Sequence, residues 1–315
     1  MLKFSLVIAT LGRTTELDFL LSSLASQCYP DLQCIVVDQN LDSRVEQIVD
    51  RWSSALNIVR VTSTPGLSHA RNVGLSYVTG DLIAFPDDDC WYSESLLANV
   101  SAWFENNSKY SVLTVGARDH DGVSSGNRWF QNRCEIGPSN AFRTTFSSTI
   151  FLRRDQITRS VQFDESLGVG SGTRYACGEE TDYVLNILRA GARGRFDRTW
   201  YIGHPKRDML SGSIDGARAT GYGRGMGNVL RRHSERLLLA GFLSYDLMRA
   251  LMVAAKGDTA SAQLCLRHAW GIATGYIGEI AEPVSPQTGI PGLHPARIIG
   301  FLDRLFAEPS QKLSH

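Results

Sequence analysis

The chain has 315 residues, 43% hydrophobic and 20% charged, and its 32 basic and 32 acidic side chains cancel to a net charge of zero. Those values suit one large globular domain, or a domain with an appendage, and the lack of a basic footprint excludes nucleic acid as the expected partner. Six cysteines without CxxC spacing argue against disulfides or a structural zinc and for a reducing compartment.

The N-terminus opens on a strand-like run, Leu2 to Ala9, too short for a signal peptide, so a cytoplasmic protein is expected. Leu17, Leu20, Leu21 and Leu24 then recur at helical spacing. Cys34 to Val37 reads as a second strand ending at Asp38, Val45 to Trp52 as a helix, and Ile58 to Val61 as a third strand. Ser68 to Tyr77 reads as a helix with Ser68 at its N-cap. The apolar run from Asp81 to Pro86 is a fourth strand, followed by a helix from Ser93 to Phe104. Alternating β and α units predict an α/β fold with a mostly parallel sheet flanked by helices. Ligands in such sheets bind beyond the carboxyl ends of the strands, where Thr10, Asp38 and Asp87-Asp88-Asp89 all fall.

The middle of the chain is less regular. Val112 to Val115 and Ser148 to Leu152 look like strands, separated by a Gly/Ser/Asn-rich loop from Asp119 to Asn140. A second Gly-rich loop, Gly168 to Gly172, reads as mobile and leads into Gly178-Glu179-Glu180-Thr181-Asp182 at the head of a helix. A short strand, Thr199 to Ile202, precedes His204-Pro205. From about Ala217 the composition turns helical, beginning with the glycine-spaced segment Gly221 to Gly227, which has no strand before it and so matches no dinucleotide fingerprint. Leu237 to Ala255 is apolar but broken by Asp246 and Arg249, so burial within the protein is expected, with docking on a membrane surface as the second reading. Arg231, Arg232, His233 and Arg236 beside it suit anionic headgroups or a solvated helix face. From Glu282 the chain reads as an irregular tail with a short helix near Ile298 to Phe306.

The acidic triplet carries the chemistry. Adjacent like charges repel, so a folded chain tolerates them around a cation or beside solvent, and an acidic turn is the competing reading. Alternation along an extended segment puts Asp87 and Asp89 on one face and Asp88 on the other. Two carboxylates on one side suit a hard divalent ion such as Mg²⁺ or Mn²⁺.

Five short segments, in order over about residues 3–205, resemble the family 2 glycosyltransferases of GT-A fold. They are Ser5 to Thr10, Ile35 to Asn40, Gly66 to Gly74, the Asp87-Asp88-Asp89 triplet in the position of the family's DxD motif, and Gly178 to Asp182, similar to its G-E-D-x-D segment. The resemblance implies a metal-dependent inverting transferase that moves a sugar from a nucleotide-diphospho-sugar to an acceptor hydroxyl. It implies a divalent metal, Mn²⁺ or Mg²⁺, on Asp87 and Asp89, with His204 as an additional ligand. It implies Asp88 at the ribose, Asp38 at the base and ribose, and Thr10 and Arg13 in a loop around the nucleotide. Arg13 and Arg71 are candidates for the phosphates, or are surface ion-pair partners. Glu180 aligns with the family's catalytic base, although Glu stands where the family has Asp, which leaves Glu179 and Asp182 in competition. Acids in a first helical turn also offset the helix dipole.

The expected organisation is a GT-A catalytic domain over 1–216, its nucleotide-binding half about 1–110 and its acceptor half about 111–216, followed by a helical extension over 217–315. The expected partners are a UDP- or dTDP-sugar donor and a glycan or lipid-linked acceptor, in surface polysaccharide biosynthesis, with peripheral contact to the inner face of a membrane through the C-terminal helices. Two competing functions are a non-catalytic sugar- or nucleotide-binding protein on the same scaffold and a nucleotidyltransferase. The latter calls for a lysine-bearing Gly-rich loop after the first strand, where this chain has Thr10-Leu11-Gly12-Arg13.

Overall fold

The first strand, β1 (Phe4–Thr10), is buried along nearly its whole length, and β2 (Leu32–Asp38) is buried throughout. Strands apolar on both faces belong inside a helix-covered sheet. They pair in parallel with β3 (Asn57–Thr62) and β4 (Leu82–Ala84), in a register that sets Thr10 opposite Asp38. Two polar strand ends are thereby brought side by side at one edge of the sheet. The helices between these strands are α1 (Thr15–Ala25), α2 (Arg44–Trp52) and α3 (Leu67–Leu75). Leu17, Leu20, Leu21 and Leu24 form the buried stripe of α1, as their spacing requires.

Beyond α4 (Leu96–Asn106) the sheet continues with β5 (Val112–Arg118), the two-residue β6 (Cys134–Glu135), β7 (Ile150–Arg153) and β8 (Gly194–Gly203), in the order β3-β2-β1-β4-β7-β5-β8-β6. β7 runs antiparallel between β4 and β5, and β6 antiparallel on β8, while β5 and β8 are parallel. The sheet is therefore mixed, with the parallel strands β1 to β4 all in the N-terminal part of the sequence. α5 (Glu179–Arg189) lies between β7 and β8.

The computed structural model describes residues 1–125, 129, 132–156, 161–205 and 215–278. They fall into two compact units, one within 1–213 and one beginning at 214. The C-terminal tail and its short helix near Ile298 lie outside the described residues. Among the described residues the second unit consists of the helices α6 (Gly216–Arg232), α7 (Arg236–Ala254) and α8 (Thr259–Ile277). The glycines of 221–227 find their reason here. A Cβ on Gly223 or Gly227 would lie 2.2 and 2.1 Å from carbonyl oxygens of α8, and one on Gly271 or Gly275 would meet α6 backbone at 2.3 and 2.1 Å. Paired small residues at a spacing of four let the two backbones touch.

Three expectations change. α3 starts after Gly66 rather than Ser68, whose hydroxyl donates to the Leu167 carbonyl at 2.6 Å instead of capping. The loop read as mobile is tied down, with the Leu67 N–H donating to the Val169 carbonyl and Gly168 N–H to the Tyr175 carbonyl. α7 is not buried: Leu237 is 89% and Leu251 73% exposed, and only Asp246 and Ala250 are inside. The Asp246 carboxylate is held by His268 of α8, which explains how an acid sits in so apolar a helix. By length and composition α7 is also long and apolar enough to cross a membrane.

Candidate active site

β4 is only three residues long, so Asp87-Asp88-Asp89 sits in a turn closed by the Cys90 N–H on the Asp87 carbonyl. The side chains still divide as extended alternation predicts. Asp87 and Asp89 face His204, and one ligand atom from each of the three lies within 4.8 Å of the others. The turn is braced by Trp91, which exchanges backbone hydrogen bonds with Gly203, next to His204. A Cβ on Gly203 would meet the Trp91 ring at 1.9 Å, so only glycine allows this contact. Ligands distant in sequence are thus fixed together by main chain.

The His204 ring is oriented for ligation. Its Nδ1 sits 2.7 Å from the Pro205 carbonyl, which can only accept, so Nδ1 carries the proton. Nε2 then presents its lone pair toward Asp89 Oδ1 at 3.5 Å and Asp87 Oδ2 at 3.9 Å. Three acceptors facing one another require a proton or a cation between them, and an Asp₂His donor set suits a divalent ion. Asp87, Asp89 and His204 therefore fit a metal.

Asp88 points the other way, accepting from Thr10 Oγ1 at 2.8 Å and from Arg13 Nη1. Arg13 also reaches Asp89 Oδ2 at 2.9 Å. Burial lifts the Asp88 carboxyl to about 6, against the opposing pull of Arg13 and Thr10. Thr10 and Asp88 are each nearly inaccessible, so in this structure they hold the loop after β1, whereas Arg13 is one-third exposed. Asp38 is fully buried, with both carboxylate oxygens engaged by Asn40 and Arg60.

Arg71 is 2% exposed. One nitrogen donates to Asp87 Oδ1 at 3.0 Å and the other to Glu179 Oε1 at 3.2 Å. A single guanidinium thus joins the acidic turn to the head of α5. It is an interior cation rather than a surface ion-pair partner. Aromatic packing supports the same junction: Phe85 meets Phe163 and Tyr183 edge-on at 5.0 and 5.9 Å, and Phe163 stacks on Tyr183 at 4.0 Å.

The three acids of α5 separate by position. Glu179 is buried against Arg71, with its second oxygen lacking a hydrogen bond. Asp182 is buried and accepts from Asn186 within the helix. Glu180 is the partly exposed one, and its carboxyl is pushed well above the usual range by loss of solvent and then by the Glu179 charge. Left-handed Gly178 turns the chain into this helix.

In the region after β5, Trp129 is a core ring stacked on Phe196 at 5.7 Å, and Asn140 closes a turn on the Gly137 N–H. Sequence reading missed Arg60, Trp91 and the Phe85–Phe163–Tyr183 cluster. A charged residue inside an otherwise β-branched strand was the available signal for Arg60; nothing local marked the others.

Comparison with known proteins agrees with the geometry. The family model for glycosyl transferase family 2 matches residues 5–168, and the chain belongs to that family. It is 29% identical over 162 residues to the poly(ribitol-phosphate) beta-N-acetylglucosaminyltransferase TarS of Staphylococcus aureus (strain MW2), which covers 46% of this chain and 28% of that protein. It is 28% identical over 205 residues to the succinoglycan biosynthesis protein ExoM of Rhizobium meliloti (strain 1021), covering 61% of this chain and 64% of ExoM. The chain thus spans less than two thirds of these relatives. Crystallised TarS residues 1–349 with UDP-GlcNAc superpose with a TM-score of 0.56 at 16% identity, over 88% of this chain and 92% of that one. The mannosyltransferase PcManGT of Pyrobaculum calidifontis, in complex with GDP-Man and Mn²⁺, gives 0.55 at 16% identity, over 96% and 80%. The fold is GT-A.

Proposed function

We propose that the protein transfers a sugar from a nucleotide-diphospho-sugar to a hydroxyl of a glycan or lipid-linked acceptor, by single displacement with inversion, in the building of a surface polysaccharide. The observation that carries this reading is Arg71, which ties the ion-binding carboxylate Asp87 to the head of the helix that bears Glu180. Acids that stabilise a leaving group and an acid that activates an alcohol have to share one crevice, and one guanidinium spans both.

Asp87, Asp89 and His204 would hold a divalent ion, Mn²⁺ or Mg²⁺, and the crystallised complex of PcManGT with GDP-Man and Mn²⁺ supports that choice. Such an ion supplies compensation for the charge that collects on a departing diphosphate. Arg13, one-third exposed beside Asp88 and Asp89, adds a guanidinium fork suited to the same phosphates. Glu180 accepts the proton of the acceptor hydroxyl as it attacks the anomeric carbon. Its exposure, with Glu179 committed to Arg71 and Asp182 to Asn186, supports it over its neighbours. Glu180 as the one base assigned, with no second carboxylate assigned as nucleophile among the described residues, favours inversion. The complexes of relatives with UDP-GlcNAc and GDP-Man favour a nucleotide-sugar donor. The exposed apolar face of α7, with Arg236 at one end and Arg249 along it, favours peripheral contact with an anionic membrane where a lipid-linked acceptor would lie.

The test is a panel of nucleotide sugars offered with Mn²⁺ to the purified chain, read by thermal shift and donor hydrolysis. One or more sugars should stabilise the protein and be turned over, and Asp89→Ala should abolish both effects. A chain indifferent to the whole panel refutes the assignment.

A further inference from the structure

We infer that the groove between the end of α4 and the start of β8 is a second glycan site, which takes an acidic oligosaccharide, one bearing uronate or phosphodiester groups, and holds it apart from the reacting centre. The inference goes beyond the transfer reaction and rests on it only for the kind of polymer the protein meets.

The groove has a volume of about 520 Å³, within the roughly 300–1,000 Å³ usual for small-molecule sites and far more than a bare ion needs. Trp103, Tyr110 and Trp200 line it together with Lys109, Arg133, Arg195 and Asp197. An irregularity in β8 shapes it. The pairing with β5 passes from Thr114–Phe196 to Gly116–Tyr201, so β8 takes five residue steps where β5 takes two. Excess residues bend a strand and re-aim its side chains, and here they set Asp197 and Trp200 on the groove wall. Asp197 is 3% exposed and fixes the bend, accepting from the Thr199 N–H at 3.0 Å. Arg133 braces it from the other side, with Nε 3.0 Å from the Asp197 carboxylate and Nη2 2.7 Å from the Thr199 hydroxyl.

The charge around the groove does not balance. Arg133 is paired with Asp197, and Arg193 with Glu135, whose field also reaches Lys109. Among the described residues Arg195 makes no ion pair. Lys109, Arg133, Arg193 and Arg195 against Asp197 and Glu135 leave a surplus of two positive charges. Beside it stand two half-buried indoles, Trp103 propped on Tyr110 with ring centroids 5.6 Å apart, and Trp200. The apolar C–H face of a sugar ring stacks on the electron-rich face of an indole, while guanidinium and ammonium groups pair with carboxylate or phosphate. A bare phosphate uses the cations and not the indoles; a neutral glycan uses the indoles and leaves the charge unanswered. An acidic glycan uses both. Single-stranded nucleic acid shares these features, but a chain of zero net charge lacks the basic footprint for it.

The groove shares no residue with Asp87, Asp89 and His204. Arg195 pairs with Leu113, and Gly203, next to His204, pairs with Arg118, five positions or about 17 Å further along β5. A polymer gripped here keeps its distal units on the strand that ends at the reacting centre.

The experiment is calorimetric titration of the full chain, without donor, against oligogalacturonate and hyaluronan tetrasaccharides and glycerol-phosphate oligomers. Maltotetraose and cellotetraose serve as neutral controls, and a short oligothymidylate represents nucleic acid. At least one acidic oligomer should bind about tenfold or more tighter than either neutral control, with an affinity that falls as salt rises. Arg195→Gln should weaken it by about tenfold, the loss of one charge-assisted hydrogen bond, whereas Arg195→Lys should keep most of the affinity. Trp200→Leu should weaken acidic and neutral oligomers alike, and all three variants should hydrolyse a soluble donor as the parent does. If Trp200→Leu melts early, Arg195→Glu, a change at a partly exposed head group, should abolish acidic binding without moving the melt. Binding of no acidic oligomer, or a preference that survives Arg195→Glu, overturns the inference and leaves the transferase reading standing, because donor turnover is read separately. Oligothymidylate bound more tightly than any glycan overturns it in favour of nucleic acid. Arg195-dependent glycan binding in a chain that turns over no nucleotide sugar upholds it and removes the transferase reading alone.

Discussion

At the scale of single residues, the site is an arrangement of charges that balance in pairs. Arg71 is the clearest case, because it is interior and both its partners are acids. Removing one member of a buried ion pair leaves an uncompensated charge at a cost of about 3–5 kcal/mol. Arg71→Met should therefore lower the unfolding midpoint markedly in a thermal melt. Glu180→Gln should leave donor affinity near that of the parent while turnover drops by about 10²–10⁴-fold, measured in a coupled diphosphate-release assay. If Glu179→Gln does this instead, the base is its neighbour. The raised Glu180 carboxyl also fixes the sign of a pH effect. A base acts deprotonated, so the rate should climb as pH rises through the elevated pKa, and Glu180→Gln should flatten that limb. The folded state favours the protonated acid more than the unfolded chain does. Its contribution to stability is thus complete below the ordinary glutamate value and is lost as pH rises through the folded one. Rate and thermal stability should move in opposite directions across that window.

At the scale of elements, much was legible because periodicity is local. The leucines of α1 and the buried strands β1 and β2 follow from spacing, and the ends of those strands at Thr10 and Asp38 follow with them. The acidic triplet and the head of α5 could be located in the chain as chemistry-bearing segments. Their connection through Arg71 could not, because a guanidinium in a small helix looks the same whether it faces water or two acids. α7 misled for the same reason: an apolar stretch does not declare whether anything covers it. The glycines of α6 became intelligible only once α8 lay against them. Gly227→Leu would drive a side chain into the Ile272 carbonyl, and such overpacking costs about 1–3 kcal/mol or more. Its expected outcome is an earlier melting transition of the second unit, resolved by hydrogen exchange, with donor binding by the first unit retained.

At the scale of the whole molecule, the chain divides into a sheet-based unit that carries the acids and a helical unit with an exposed apolar face. If that face meets a membrane, the full chain should float with vesicles containing anionic lipid. Leu237→Asp with Leu251→Asp should abolish flotation and leave hydrolysis of a soluble donor unchanged. Flotation that persists in this variant assigns lipid contact elsewhere. The Trp91–Gly203 contact has a consequence for anyone recombining this enzyme with its relatives. Because a tryptophan ring rests on a bare backbone from a distant strand, the segment with the acidic turn and the segment with the histidine have to be exchanged together. A chimera that exchanges one without the other should lose this fit, and with it the placement of Asp87 and Asp89 against His204.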